Sequence, residues 1–348
     1  MSSTPPASPE PASPVVTEPA KKRRRFIIGR VLMLLLAAVS FHIVAPSVVE
    51  VLGSWPRVST VAPEWLAAIV LCEVLSFVSA ITLQRIALRT KAWFAVATSQ
   101  LAGNATSQIV PGGAAAGATL QLRMLKEAGC DTATAVSGFT AFSLLQTASI
   151  FFLPVLTLPA ILAGAPVDRG LAQTAFVGLA GFVLVAGLGA VLLSTDGLLR
   201  AIGRAAQWSR NRILRKRTPM VGLPERLLRE RDEIRDVLGE RWRSALAATA
   251  CRLGFDFLAL FAALAAVGSV PRPSLALLAY AAASLLAMIP ITPGGLGIVE
   301  AGLSGTLALA GVAPAQAVLA TLLYRLASYW LPILAGPVAY GLFRRRYR

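Results

Sequence analysis

Five charged residues fall inside runs that are otherwise apolar: Glu73, Arg252, Asp256, Glu300 and Arg325. A charge at the centre of a bilayer costs roughly 2.5–3.5 kcal/mol on insertion scales, so each of these needs a partner or a polar cavity. Arg252 and Asp256 are spaced i,i+4 and share one face of a helix. Glu300 opens the arm after a Gly/Pro-rich break, and Arg325 lies in the last apolar run. Two chemistries fit this set. In one, the arginines hold a phosphate head group, whose oxygens match the guanidinium fork. In the other, Arg252 pairs with Asp256 and Arg325 with Glu300, and the ion pairs lock helices together. A transferase would use Glu300 as a base, but would be expected to carry more acid and base groups near one membrane face.

Uncharged amides add a second pattern. Gln100, Asn104 and Gln108 recur every four residues and stripe one face of a helix that ends at Pro111, Gly112 and Gly113. Such a stripe suits a hydrated path or contacts to lipid head groups; amide bonding between helices is the other reading. Gln146 and Ser143 continue the polarity into the next span. The one histidine, His42, excludes His-based triads and multi-His metal sites. Cys72, Cys130 and Cys251 share no metal or redox spacing. Gly294, Gly295 and Gly297 superficially suggest a phosphate loop, but no strand precedes them and no Lys follows as in a Walker loop. The chain reads as a non-enzyme with no metal or cofactor.

The elements that position these residues are organised around two breaks. Pro293, Gly294 and Gly295 interrupt one apolar segment, and Pro111, Gly112 and Gly113 another, at an offset of 182 (293 minus 111). Proline cannot continue a helix, and backbone freed inside a bilayer must find partners in protein or a wet cavity. The same offset relates Ala128-Gly129 to Ala310-Gly311, Phe142 to Tyr324 and Leu144 to Leu326, which predicts an internal duplication. The amide stripe is not duplicated: its counterparts are Ala282, Leu286 and Pro290.

With 56% hydrophobic and 14% charged residues, the 348-residue chain is a polytopic membrane protein. Its net charge of +16 sits in blocks beside apolar spans, which speaks for an anionic membrane surface and against nucleic acid. Spans are predicted over 26–45, 62–84, 132–158, 171–194, 244–268 and 315–342, with broken segments at 93–128 and 274–311. Placing every basic block in the cytoplasm makes both broken segments re-entrant hairpins, entering from opposite faces. The predicted fold is all-α: an inverted repeat of span, span, re-entrant hairpin and span, giving six spans and two broken hairpins. Its parts are a disordered basic tail (1–25), a first repeat (26–163), a second repeat (171–342) and a basic tail (343–348). The cytoplasmic insert 195–243, with 13 basic and 7 acidic residues for a net +6, is expected to hold an amphipathic helix from Pro224 to Leu238.

The run Pro293 to Glu300, with Ala301-Gly302, Tyr324-Arg325-Leu326 and Tyr329-Trp330-Leu331-Pro332, resembles the flippase-like transmembrane domain of lysylphosphatidylglycerol synthases and their stand-alone relatives. The resemblance spans about 26–342. Where the family often has an acidic residue after the first turn, Gly117-Ala118 stands here. The resemblance implies a bacterial cytoplasmic-membrane protein that moves or handles a lipid, and a lipid flippase is the expected function; the basic blocks put both termini in the cytoplasm, and the aminoacyl-transferase domain is expected to be absent. Its substrate would be a phospholipid or a polyprenyl-phosphate-type lipid. The alternative is a membrane subunit or scaffold for a lipid-synthesis enzyme or glycosyltransferase.

Overall fold

The computed structural model describes residues 61–110, 113–158, 169–213, 221–288 and 293–347. The tail 1–25, the span 26–45 with His42, and Pro111 and Gly112 of the first break lie outside the described residues. Every described element is a helix: α1 (Pro63–Ala87), α2 (Trp93–Ile109), α3 (Gly113–Glu127), α4 (Thr132–Phe152), α5 (Arg169–Ser194), α6 (Asp196–Ile213), α7 (Leu223–Ala266), α8 (Pro273–Ala287), α9 (Ile298–Leu309), α10 (Pro314–Arg325) and α11 (Leu331–Tyr347). Four stretches are long and apolar enough to cross a membrane: Pro63–Ala87, Thr132–Thr157, Arg241–Ala266 and Pro314–Tyr347. A fifth is counted if Ala175–Val191 and Asp196–Arg212, bent by 95°, form one span.

Start and stop signals explain these boundaries. Pro63, Pro273 and Pro314 open their helices, because the ring presets the helical φ and lacks an amide that would be unpaired there anyway. At the other end, Gly129 (φ 87°) follows α3 and Gly311 (φ 90°) follows α9, in the left-handed conformation that glycine adopts without strain. The bonds around them match at the 182 offset. Gly129 donates to the Lys126 carbonyl and Cys130 to Leu125, as Gly311 donates to Ala308 and Val312 to Leu307. The start of α4 at Thr132 likewise falls on the start of α10 at Pro314.

Helices α2 and α3 form one antiparallel hairpin, and α8 and α9 a second. Their lengths of 17, 15, 15 and 12 residues correspond to about 25, 22, 22 and 18 Å, short of a hydrocarbon core about 30 Å thick. Between the hairpins α1 lies along the second half of α7, with Ser76 Oγ donating to the Arg252 carbonyl at 3.0 Å. The main core collects Leu260, Leu264, Leu278, Leu303 and Leu307 around α8, whose buried Ala276, Ala279, Ala281 and Ala283 let neighbouring backbones close in. Helix α11 packs on α2, where a Cβ at Gly336 would stand 2.2 Å from that of Ala105.

Three features depart from expectation. The insert contains a second helix, α6, folded back against the start of α7, with Gln207 Oε1 accepting from the Leu223 amide (3.1 Å) and Arg231 bound to Asp196 (2.5 Å). Arg231 thus serves the helix pair, and the expected helix from 224 continues through a kink at Arg241 into the span. The last helix does not end at 342 but runs to Tyr347, with Phe343 buried beside Ala95, Ala102 and Met124. Between α10 and α11, Leu326–Trp330 widens to a π-helical turn. Pro332 follows immediately and has no amide to close on the Ser328 carbonyl, which forces the ladder to readjust.

Candidate functional site

The second break sets the geometry. Gly294, Gly295 and Gly297 take φ of 60°, 72° and 80°, so the chain turns sharply before α9 begins. Glu300, in the first turn of α9, accepts the Gly297 amide on Oε2 at 2.7 Å and Arg325 Nε on Oε1 at 2.6 Å. Arg325 also donates to the Gly294 carbonyl (3.3 Å), and its guanidinium lies 4.4 Å from the centre of the Tyr329 ring. Arg325, at the edge of the widened turn, therefore stitches the break to the last helix. The Glu300–Arg325 pair exists as a short, largely buried contact.

Tyr329 joins this turn to the first hairpin. A Cβ at Gly294 would stand 2.4 Å from its ring, and its hydroxyl donates to the Gln108 carbonyl at 3.2 Å. The tip of the second hairpin thus meets the end of α2, just before the first break.

Bordered by α1, α2 and α3 lies a cavity of about 410 Å³. Gln100, Asn104 and Gln108 line it from α2, Ala114, Gly117 and Gln121 from α3, and Glu73 and Ser76 from α1. Gln146 contributes from α4, Arg252 and Asp256 from α7, Tyr324 and Arg325 from α10, and Ser328 from the turn that follows α10. Gln108 Nε2 donates to Asn104 Oδ1 at 3.2 Å, while Gln100 Oε1, Gln108 Oε1 and Ser328 Oγ are buried without a protein partner. Buried polar atoms of this kind are normally satisfied, by water or a ligand where protein does not reach them. A smaller cavity of about 180 Å³ lies toward the second hairpin, beside Ser284, Val299 and Leu303. Arg252, Asp256, Tyr324 and Arg325 line both and form the wall between them.

Sequence spacing gave the wrong partner for Asp256. Its Oδ1 accepts from the Tyr324 hydroxyl at 3.0 Å and its Oδ2 from the Tyr280 hydroxyl, and no ion pair joins it to Arg252. Tertiary packing overrides the i,i+4 expectation, because α8 and α10 each deliver a buried phenol to this carboxylate. Among the described residues no carboxylate comes within ion-pair distance of Arg252, which faces the cavity. Glu73, 2% exposed, faces Asp256, and its Oε1 has no hydrogen-bond partner.

The expected residues thus fall into two groups. Gln100, Asn104, Gln108, Glu73, Arg252, Asp256 and Arg325 line one cavity. Gly113, Gly294, Gly295 and Glu300 do not line the cavity: Gly113 packs on the Ser107 carbonyl, and the rest shape the turn that Arg325 holds. Pro293 begins that turn. Tyr280 and Tyr324 were not foreseen as Asp256 partners, nor was the buried Gln121–Gln84 bond (3.0 Å) that ties α3 to α1. A phenol in an apolar run was the available signal, since a buried hydroxyl normally finds a partner.

A family model, the transmembrane region of lysylphosphatidylglycerol synthases, matches residues 26–336. The chain belongs to this family. Within it lie all of the cavity-lining residues named above. A UPF0104 membrane protein of Methanothermobacter thermautotrophicus is 34% identical over 84 residues, 24% of this chain and 24% of that protein. The match thus covers about a quarter of that relative's length. No solved structure matches the chain.

Proposed function

We propose that the protein is a lipid translocator that carries a phosphate-bearing head group through the amide-lined cavity while the acyl or prenyl chains stay in lipid. The observation that carries this reading is Arg252, which has no carboxylate within ion-pair distance among the described residues and lines the same cavity as Gln100, Asn104 and Gln108. A guanidinium and amides in a cavity among membrane helices offer donors to phosphate oxygens and replace lost hydration. The substrate is a phospholipid or a polyprenyl-phosphate-type lipid, in a cytoplasmic membrane with both termini on the cytoplasmic side.

The proposed topology is the inverted repeat, with six spans and two re-entrant hairpins from opposite faces. It is supported by matching cap bonds at the 182 offset, by hairpin arms too short to cross, and by Tyr329, which joins the second tip to the end of α2. The insert lies on the anionic cytoplasmic leaflet. There the 95° bend turns α6 away from α5, leaving Ile202 and Trp208 exposed beside Arg204 and Arg212. The same helix pair supports a second reading, in which it docks a lipid-synthesis enzyme or glycosyltransferase.

Reconstitution into liposomes carrying a fluorescent phosphatidylglycerol tests the first reading. Wild type should move the lipid between leaflets, and Asn104→Leu should slow it about tenfold while still assembling. A wild type that moves no lipid overturns the translocator and leaves the docking reading. Cysteines placed beside Lys91 and Lys126 should label from the same side; labelling from opposite sides rejects the first hairpin.

A further inference from the structure

Two bends in the insert fall where helices meet the membrane surface. Helix α6 starts two residues after α5 ends and leaves it at 95°, so with α5 upright α6 runs along the plane of the membrane. Helix α7 breaks at Arg241 (φ −123°, ψ 19°), the residue at which its span begins. Next to that break the Arg243 guanidinium lies 5.6 Å from the Trp242 ring, as in α6 that of Arg212 lies 5.3 Å from Trp208. Tryptophan and arginine, each with an apolar body and a wet end, settle at the level of the head groups. Both helices thus carry the marks of one interface.

Helix α6 has two unlike faces. Toward α7 it turns Asp196, Gly203 and Gln207: a Cβ on Gly203 would stand 2.8 Å from the Pro224 Cα, Gln207 accepts the Leu223 amide, and Asp196 meets Arg231. The opposite side carries Leu198, Ile202, Ala205 and Trp208, all exposed, Trp208 by 63%. At about 100° per residue Arg204 and Arg210 flank that strip on its two sides, and Arg212 closes its end. Among the described residues no carboxylate lies within ion-pair distance of these three, whereas Asp196 takes up Arg200 and Arg231. Asp196 and four arginines within 18 residues are too many charges for hydrocarbon. An apolar strip between arginines is the pattern of a helix that lies at the head groups.

We propose that this outer strip of α6 reads the charge of the leaflet: it seats on anionic head groups and comes away from a neutral surface. The occupant is lipid because the 95° bend lays the strip along the plane of the membrane where α5 ends, and because its arginines complement anionic head groups. Seating has a route to the cavity. Helix α6 is fastened to the first turns of α7, and α7 continues past Arg241 to Arg252 and Asp256, about three and four turns beyond. A seated α6 holds the lead of α7 and with it the placement of Arg252; a released α6 lets α7 pivot at Arg241. The surface stands independently of the translocator reading, and its effect on transport rests on that reading.

The test uses the full chain with Cys72, Cys130 and Cys251 replaced by alanine and a nitroxide attached at Ser209→Cys, within the strip. Vesicles are phosphatidylcholine with or without cholesteryl hemisuccinate, whose carboxylate adds surface charge without a phosphate that could compete as cargo. Charged vesicles should raise the label's collisions with oxygen and lower those with a water-soluble nickel complex, and high salt should reverse both. Arg204→Gln combined with Arg212→Gln should shift the seated-to-free ratio about thirtyfold toward free, roughly fivefold per arginine. Exchange of fluorescent phosphatidylglycerol between leaflets should be faster in charged vesicles with the arginines present and indifferent to charge in the double variant. A label that stays in water in both vesicles, or seats equally in both, overturns the proposal. So does a label shielded from oxygen and nickel alike, which means that protein covers the strip. Seating that responds to charge while lipid exchange does not overturns the route through α7. A protein that seats but exchanges no lipid leaves the surface standing and removes the translocator. These deciding arms keep both arginines, so a misfolded double variant does not blunt them.

Discussion

Where α2 crosses α3, backbone lies on backbone: a Cβ on Gly117 would stand 2.3 Å from the Gly103 carbonyl oxygen, and one on Gly113 would stand 2.0 Å from that of Ser107. Where α8 crosses α9, the corresponding contact is softer, since a Cβ on Gly302 would meet the Leu286 Cδ1 methyl at 2.5 Å. The first hairpin brings its amides to the cavity; the second buries Ala276, Ala279 and Ala281 and carries its polarity at the tip, in Glu300. Two arms of similar plan have diverged in purpose. The first makes a surface for a polar guest, and the second a turn that Arg325 fastens. Close glycine packing suits the first role, because it fixes the amide stripe without side chains intruding into the cavity.

The largest effect should come from the glycine crossing. Gly117→Ala places a methyl against a carbonyl that cannot rotate away, so the hairpin must separate. Gly302→Ala meets a leucine tip that has other rotamers. Fluorescence-detected size exclusion after heating should show Gly117→Ala largely lost or strongly destabilised and Gly302→Ala close to wild type. Equal losses would mean that the two crossings are not different in kind.

Next in size is the fastening of the second tip. Removing one partner of a buried ion pair typically costs about 3–5 kcal/mol, because the other charge is left without compensation. Arg325→Gln loses the contacts to Glu300, the Gly294 carbonyl and the Tyr329 ring together, so transport should fall to background. Glu300→Gln keeps an oxygen for the Gly297 amide and should be milder. Transport and expression measured for both single mutants and the double mutant decide the role. Rescue of assembly in the double mutant makes the pair a lock, whereas assembled but inactive single mutants place it in the transport path.

Much of this division was legible in the sequence. A Gly/Pro run marked the second break, because few residues other than glycine accept φ near +60 to +80° without strain. Charges in apolar runs marked the wall of the cavity, because bilayers reject them. Partner choice was hidden. Arg252 is the chain neighbour of Asp256 by helical spacing, but Tyr280 and Tyr324 reach that carboxylate only once α8 and α10 are packed. Helix α6 was hidden for another reason: Arg200 and Arg204 sit in a strongly basic stretch, which reads as a solvated loop until α7 folds against it. The widened turn before Pro332 was open to inference from the proline, though its placement beside Arg325 was not.

The smallest expected effect concerns the entries to α4 and α10. Asp131 caps α4, accepting the Ala133 and Thr134 amides at 3.0 and 3.1 Å, while the equivalent position before α10 is Ala313, which has no side-chain cap and relies on Pro314. The Thr134 amide above all, with that of Ala133, holds the Asp131 carboxyl below the usual carboxylate range. A depressed folded-state pKa stabilises the protein above the unfolded-state value, and the benefit is lost as pH falls through the folded-state value. Asp131→Ala should therefore lower the thermal midpoint slightly at neutral pH, and the gap to wild type should close in acid, below the ordinary aspartate range. Ala313→Asp should do little, since the proline already presets the first turn and removes one amide. Melting curves of the two variants at neutral and acid pH distinguish these outcomes: a gap for Asp131→Ala that persists in acid would show that the carboxylate charge is not what caps the helix.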